Sequence, residues 1–377
     1  NELVGGAERL KDSTGLVDGK RAAACKSAIL DTLLPNAIKE LRRKAKKDAQ
    51  KYVADRCASA FFKRVQMKPL DPSMGRAPHP LLQHARQYRR SSVTATYSEY
   101  NMDHDHEDGQ QEGDRRVIFY IGTAQGKSYS GNHAVVLNQH GDCIDTASLP
   151  KMSGQTRAEF RESVMKVLSA HRPRVCLVNS SGGADCDRVY EMVTEAAKEL
   201  ESEMFRASGV EVTDGYFIVM RADDEAANLF AGSDRANDTM PEVKPYVRAA
   251  VALGRESIDP LAAYAALWQD PHVVLDGKNG KQRVSSSENP GGEVTGLKLD
   301  HFQMDVPKDL LVERYEREFL RATALTGVNI NRLMRYPHWG DTLRFVPGLG
   351  ERKAMALKQS LPTLARISSS DGRDEDD

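Results

Sequence analysis

Apolar residues recur at Leu34, Ile38, Leu41, Ala45, Ala49, Val53, Cys57 and Ala60, the three-and-four spacing of one stripe along an α-helix. A shorter helix is expected just before it, over residues 21–33. Pro35 is well placed as the first residue of the longer one, where its missing N–H costs nothing. About 30 residues at roughly 1.5 Å each make a rod of roughly 45 Å, so the segment is expected to act as a spine whose apolar stripe is buried. The opposite side carries Lys39, Arg42, Arg43, Lys44, Lys46, Lys47 and Lys51. Such a run is either an ordinary solvated face or a basic surface for nucleic acid or a partner, with Arg42, Arg43 and Lys46 as its candidate residues.

From residue 116 the pattern changes. Residues 117–123, 133–138 and 143–149 read as three strands, the second and third joined by a Gln-His-Gly-Asp turn. A helix over 157–170, a strand over 174–180, a helix over 184–200 and a strand over 216–221 follow. Three successive strands and then alternating helices and strands argue for a mixed sheet with helices packed on it, the order of an RNase H-like fold. Beyond Ala222 the pattern is mostly helical, with helices expected over 247–254, 260–268 and 307–321 and then two short helix pairs. The fold class is therefore α/β plus all-α. The expected division is a helical spine (1–68), a linker (69–115), an RNase H-like domain (116–240), a helical connector with a flexible loop (241–298), tandem helix-hairpin-helix units (299–367) and an acidic tail (368–377). The flexible part is the low-complexity stretch 276–296.

A chain of 377 residues, 40% of them hydrophobic, is long enough for two or three cores. It begins at Asn1 and ends in an acidic run, so a piece of a longer protein is expected. The formal charge of -1 makes local basic patches matter more than the total. Five cysteines, with no CxxC pair and no signal-peptide pattern, fit a reduced compartment. No apolar run approaches the roughly 18 residues of a membrane span. His104 and His106, with Asp103, Asp105 and Glu107, lie in a stretch without periodicity and lack the fixed spacing of a structural metal site, so no metal is assigned there.

The sharpest local signal is LRFVPGLGERKAMAL, residues 343–357. Two glycines flanking one apolar residue, preceded by proline and followed by a helical pattern, describe a helix-hairpin-helix. Gly348 and Gly350 permit backbone angles closed to other residues, while Leu349 plugs the angle between the helices. Backbone N–H groups of such a turn at a helix N-terminus suit a phosphate oxygen, and Arg352 and Lys353 add charge. A weaker companion, TGVNINRLM at 326–334, offers Gly327, Asn329 and Asn331. The alternative for both hairpins is that they only pack helices together.

The chain resembles the Tex family, in its eukaryotic suppressor-of-Ty-six branch, over about residues 21–361. The likeness rests on VRAAVALGRESIDPLAAYAAL (247–267), LDHFQMDVPKDLL (299–311), TGVNINR (326–332) and VPGLGERKA (346–354). The resemblance implies a YqgF-like unit of RNase H-like fold, a central helical spine and tandem hairpins. It also implies a transcription elongation factor and histone chaperone that associates with RNA polymerase II elongation complexes, histones and DNA or RNA in the nucleus, weakly and without sequence preference. No cofactor and no membrane is expected.

A metal-dependent RNase H-like nuclease or resolvase is the alternative. Nucleases of this fold use several carboxylates to hold two divalent cations about 4 Å apart. The first is expected on the opening strand, where Phe119, Tyr120, Ile121, Gly122 and Thr123 stand. The second is expected at the end of the fourth, where Val178, Asn179, Ser180 and Ser181 stand. Asp185, Asp187, Asp223, Asp224 and Glu225 remain, and they read as charges at helix N-termini, with Asp223 and Asp224 opening a helix. No catalytic residue is assigned.

Overall fold

The computed structural model describes residues 25–69, 118–123, 132–151, 154–181, 183–208, 216–269, 273–275, 282–284 and 291–370. The expected linker beyond residue 69, the segment holding His104 and His106, and residues 371–377 of the acidic tail lie outside the described residues.

One sheet organises the middle of the chain. Strands β1 (Ile118–Thr123), β2 (Asn132–Leu137), β3 (Cys143–Leu149), β4 (Val175–Asn179) and β5 (Ile218–Ala222) lie in the order β3-β2-β1-β4-β5. The first three pair antiparallel as a meander, and β4 and β5 join parallel to β1. Parallel strands need crossovers, supplied by α2 (Arg157–His171) and α3 (Ala184–Ser208). This is the RNase H-like order that the sequence pattern predicts.

Side chains alternate across a strand, so a sheet covered on both sides reads as an unbroken apolar run. Ala134, Val136, Cys176 and Val178 face Phe160, Val164, Val189 and Val193 of α2 and α3. Their neighbours Val135, Leu137, Val175 and Leu177 face Ala250, Val251 and Leu253 of α6 (Pro245–Ile258) on the other side. A Cβ at Gly254 would lie 2.2 Å from Leu137 Cδ1, so glycine is what lets α6 settle on the sheet. Between β5 and α6 run α4 (Glu225–Ala231) and α5 (Asp234–Thr239), and α7 (Pro260–Ala265) follows, capped by Asp259, which accepts from the Ala262 N–H.

The spine departs from expectation in two respects. It is continuous, a π-helical turn at Ile29–Leu33 running into α1 (Leu34–Val65) with no break at Pro35. The expected stripe is also mostly uncovered, since of its positions only Cys57 is buried, with Val53 and Ala60 half-buried. Ala54, Cys57, Ala58, Phe61 and Val65 are buried, whereas Leu34, Ile38 and Leu41 are 39%, 40% and 67% exposed and Ala45 and Ala49 are exposed as well. Periodicity marks the helix but not the face that the partner elements cover, which turns to Ala54, Ala58, Phe61 and Val65. The partners here reach only the C-terminal half.

Those partners form an aromatic core. Phe61 meets Tyr315 at 4.9 Å and Phe319 edge-on at 4.8 Å, both from α8 (Lys308–Thr326). Phe319 stacks on Phe345 at 4.2 Å, and Trp268 closes on Phe345 at 5.5 Å. Such ring pairs add about 0.5 to 1.5 kcal/mol each beyond the area they bury.

The low-complexity stretch is not all loop. Gln282–Val284 pairs antiparallel with Val273–Leu275, and Gly292–Gly296 forms a 3-10 turn whose Val294 is fully buried in the aromatic core. Composition hid this because one buried valine suffices to dock a turn that is otherwise glycine, threonine and glutamate. After α8 come α9 (Ile330–Arg335), a 3-10 helix over Pro337–Phe345 and α10 (Gly350–Ser370). No helix among the described residues is long and apolar enough to cross a membrane.

Candidate nucleic-acid interface

The second hairpin joins the 3-10 helix Pro337–Phe345 to α10. Gly348 has φ +85° and Gly350 φ +63°, both left-handed, and the Leu349 N–H donates to the Val346 carbonyl at 3.0 Å. A side chain at either glycine would be strained by its backbone and not by crowding, since a Cβ there would meet nothing within 4 Å. The outer face of the turn is therefore open. Leu349 points the other way, half-buried against the cluster of Ala262, Leu333, Trp339, Leu343 and Ala354, and acts as the expected plug. Arg352 and Lys353 are exposed on the first turn of α10, and Lys353 Nζ folds back to donate to the Gly348 carbonyl at 3.3 Å. An ammonium group thus sits at the mouth of the turn, at a helix end that already favours anions.

The first hairpin is built differently. Gly327, at φ +78°, ends α8, and its N–H donates to the Thr323 carbonyl at 2.8 Å. The Asn329 side chain caps α9 by accepting from the Arg332 N–H at 3.1 Å, so its carbonyl oxygen serves the helix. Asn331 is exposed. The structure thus gives Asn329 a capping role that the sequence pattern, in which it groups with Gly327 and Asn331, does not separate out. Arg42, Arg43 and Lys46 are all exposed on the undocked half of α1, with Arg43 paired to Glu40 at 2.8 Å.

Two contacts that the sequence does not announce seat the hairpins on the rest of the molecule. Arg332 pairs with Asp259 at 2.8 Å and lies over the Trp339 ring at 4.1 Å. The turn between β2 and β3 supplies the other. The His140 carbonyl accepts from Trp339 Nε1 at 3.1 Å and lies 2.8 Å from His338 Nε2, and the Gly141 carbonyl accepts from Arg255 Nε at 2.9 Å. Burial and the neighbouring Arg255 push His338 down to about 4, so it is neutral near pH 7. The nearest sequence signal is the turn itself, because nothing in HWGD at 338–341 indicates which carbonyl it will meet.

Along the interior strands β1 and β4, where a nuclease would gather metal ligands, Ile121 is buried opposite Val178 and Asn179 is buried at the end of β4. Asp224 is buried beside it. Its carboxylate accepts from Ser181 Oγ at 2.6 Å, the Ser181 N–H at 3.2 Å, Asn228 Nδ2 at 3.0 Å and Asn179 Nδ2 at 3.4 Å. The other downstream acids are engaged by arginines. Arg64 of α1 reaches Glu225 at 2.7 Å and Asp223 at 3.6 Å, Arg221 reaches Asp187 at 2.6 Å, and Arg188 reaches Asp185 at 3.6 Å. Asp223 and Asp224 do precede a helix as expected, but Asp224 turns its carboxylate back to the sheet and makes no cap bond. No group of three or more His, Cys, Asp or Glu side chains converges as a metal site among the described residues.

A family model described as the Holliday-junction resolvase-like unit of SPT6 matches residues 112–268, and a helix-hairpin-helix model matches 292–371. The Suppressor of Ty 6 homolog of Caenorhabditis briggsae is 23% identical over 345 residues, covering 89% of this chain and 19% of that protein. The transcription elongation factor SPT6 of Drosophila melanogaster is 23% identical over 358 residues, covering 90% and 16%. The SPT6 of Candida albicans is 29% identical over 216 residues, covering 56% and 13%. The chain thus spans less than a fifth of the length of these curated relatives. With the sheet order, the open hairpin and both models in agreement, the chain is similar to SPT6 proteins over about 90% of its length.

Proposed function

We propose that this chain is a non-catalytic scaffold within a nuclear transcription elongation factor and histone chaperone. It associates with RNA polymerase II elongation complexes, with histones and with the phosphate backbone of DNA or RNA. The observation that carries the nucleic-acid part is the second hairpin, with two left-handed glycines opening on free space and an ammonium group at the mouth. The relatives' printed names, transcription elongation factor SPT6 among them, supply the cellular setting. The working division keeps the spine, the RNase H-like unit, its helical connector and the hairpins as separate parts of one support.

Contacts to phosphate fix register and carry no sequence information, so binding is weak and indifferent to sequence. Asp185, Asp187, Asp223 and Glu225 are engaged by arginines and Asp224 by Ser181, Asn179 and Asn228, which speaks against the nuclease alternative, because carboxylates bound to separate partners do not converge on two cations. The test is fluorescence anisotropy with two unrelated DNA duplexes and a single-stranded RNA. Arg352→Glu together with Lys353→Glu weakens the two duplexes by the same factor. A loss confined to one sequence, or no loss in a folded variant, contradicts the reading.

A further inference from the structure

A cavity of about 400 Å³ lies where α4, α5, α6 and α7 meet the 3-10 helix Pro337–Phe345 and α10. That volume falls in the range of small-molecule sites, which are mostly apolar with a few placed polar groups. Its wall includes Phe230, Met240, Ala252 and Ala263. The charged groups around it are unequal: three cations, Arg235, Arg255 and Lys358, against two carboxyls, Asp341 and Glu256.

These charges are not equally available. Asp341 is already shared by Arg235 at 3.2 Å and Lys358 at 2.7 Å. Glu256 accepts from the Tyr264 hydroxyl at 2.9 Å, and burial pushes its carboxyl up to about 7. Arg255 donates through Nε to the Gly141 carbonyl and has no carboxylate within 4.0 Å among the described residues. Its guanidinium has five N–H donors in a fork that matches a carboxylate. Burial lowers its pKa, and the more distant Asp142, Cys143 and Asp341 offset that only in part.

We propose that this cavity binds an organic monocarboxylate with a compact apolar body, the body lying among Phe230, Met240, Ala252 and Ala263 and the carboxylate pairing with Arg255. The shared chemistry can come from a free small acid or from the C-terminal residue of a peptide.

The test uses the full chain, with phenylacetate as probe and its neutral isostere phenylacetamide as control, read by saturation-transfer NMR titration. Phenylacetate binds at least about tenfold more tightly than the amide, since a charge-assisted pair contributes more than 1.4 kcal/mol, the free energy of a tenfold change. Arg255→Gln removes that preference. Because Arg255 also holds the Gly141 turn, Ala263→Leu provides a second variant, which fills the cavity and abolishes binding of both probes while the charge stays. Displacement of phenylacetate by the peptide Ala-Ala-Phe with a free carboxylate, but not by its amide, supports the peptide terminus as the source. Absence of displacement supports the free acid. Equal affinity for the two probes, no saturation transfer to phenylacetate at millimolar concentration, or binding that survives Ala263→Leu overturns the proposal.

Discussion

Asp224 shows how the setting of one side chain decides between two chemistries. A carboxylate just beyond β5, beside the end of β4, is well placed for a metal, but its oxygens accept from Ser181, Asn179 and Asn228, and among the described residues no cluster of acids forms around it. Bonds to a charged group contribute about 1.5 to 3 kcal/mol, so Asp224→Ala should destabilise the fold by about that amount or more in urea melts, and Asp224→Asn by less. Millimolar magnesium should leave the melting temperature of the unaltered chain unchanged, and neither magnesium nor manganese should support cleavage of single-stranded, duplex or branched nucleic acid. A metal that bound the folded state would raise the melting temperature by mass action. Glu256 makes the complementary case. Burial raises its folded value from 4.5 to about 7, so the folded chain prefers the neutral acid. Its contribution is fully present below about 4.5 and is lost as pH rises through about 7. Glu256→Gln should therefore reduce the fall in stability between about pH 5 and pH 8, and an unaltered pH profile would contradict the assignment.

The long helix separates what a sequence states from what it leaves open. The apolar stripe from Leu34 to Ala60 identifies the helix but not its buried face, which is Ala54, Cys57, Ala58, Phe61 and Val65 and shares only Cys57 with the stripe. Leu41 and Phe61 are both apolar positions on this helix, but one is 67% exposed and the other fully buried among Tyr315, Phe319 and Tyr264. Phe61→Ala should cost about 3 to 5 kcal/mol in denaturant melts, and Leu41→Ala about 0.5 kcal/mol or less. A large loss at Leu41 would mean that its half of the helix is covered in solution. The strands were legible for the opposite reason, because burial on both faces writes itself into continuous runs such as Val175 to Val178. Gly348, Leu349 and Gly350 were legible because a left-handed turn restricts residue type directly. Arg332 on Asp259, Trp339 on the His140 carbonyl and Arg64 on Glu225 were not, since each joins residues far apart in the chain and any arginine or tryptophan carries the same local signal.

Across the whole molecule, the aromatic core ties α1, α7, α8 and the 3-10 helix Pro337–Phe345 together, while the β2–β3 turn receives that same helix from the sheet side. The hairpins are thereby held on a support that continues into the RNase H-like unit, with the Gly348–Gly350 turn left open. A phosphate grip on a rigid support implies electrostatics that change by a countable amount when charge is removed. The dependence of log affinity on log salt for duplex DNA flattens by about 0.9 for each phosphate that is no longer neutralised. The most direct measurement is that slope for the chain and for its Arg352→Glu, Lys353→Glu variant, with circular dichroism to verify that the variant is folded. A slope shallower by about 0.9 to 1.8 together with weaker binding is expected. An unchanged slope and affinity in a folded variant would make the hairpin purely architectural and move any nucleic-acid contact to the exposed basic face around Arg42 and Lys46.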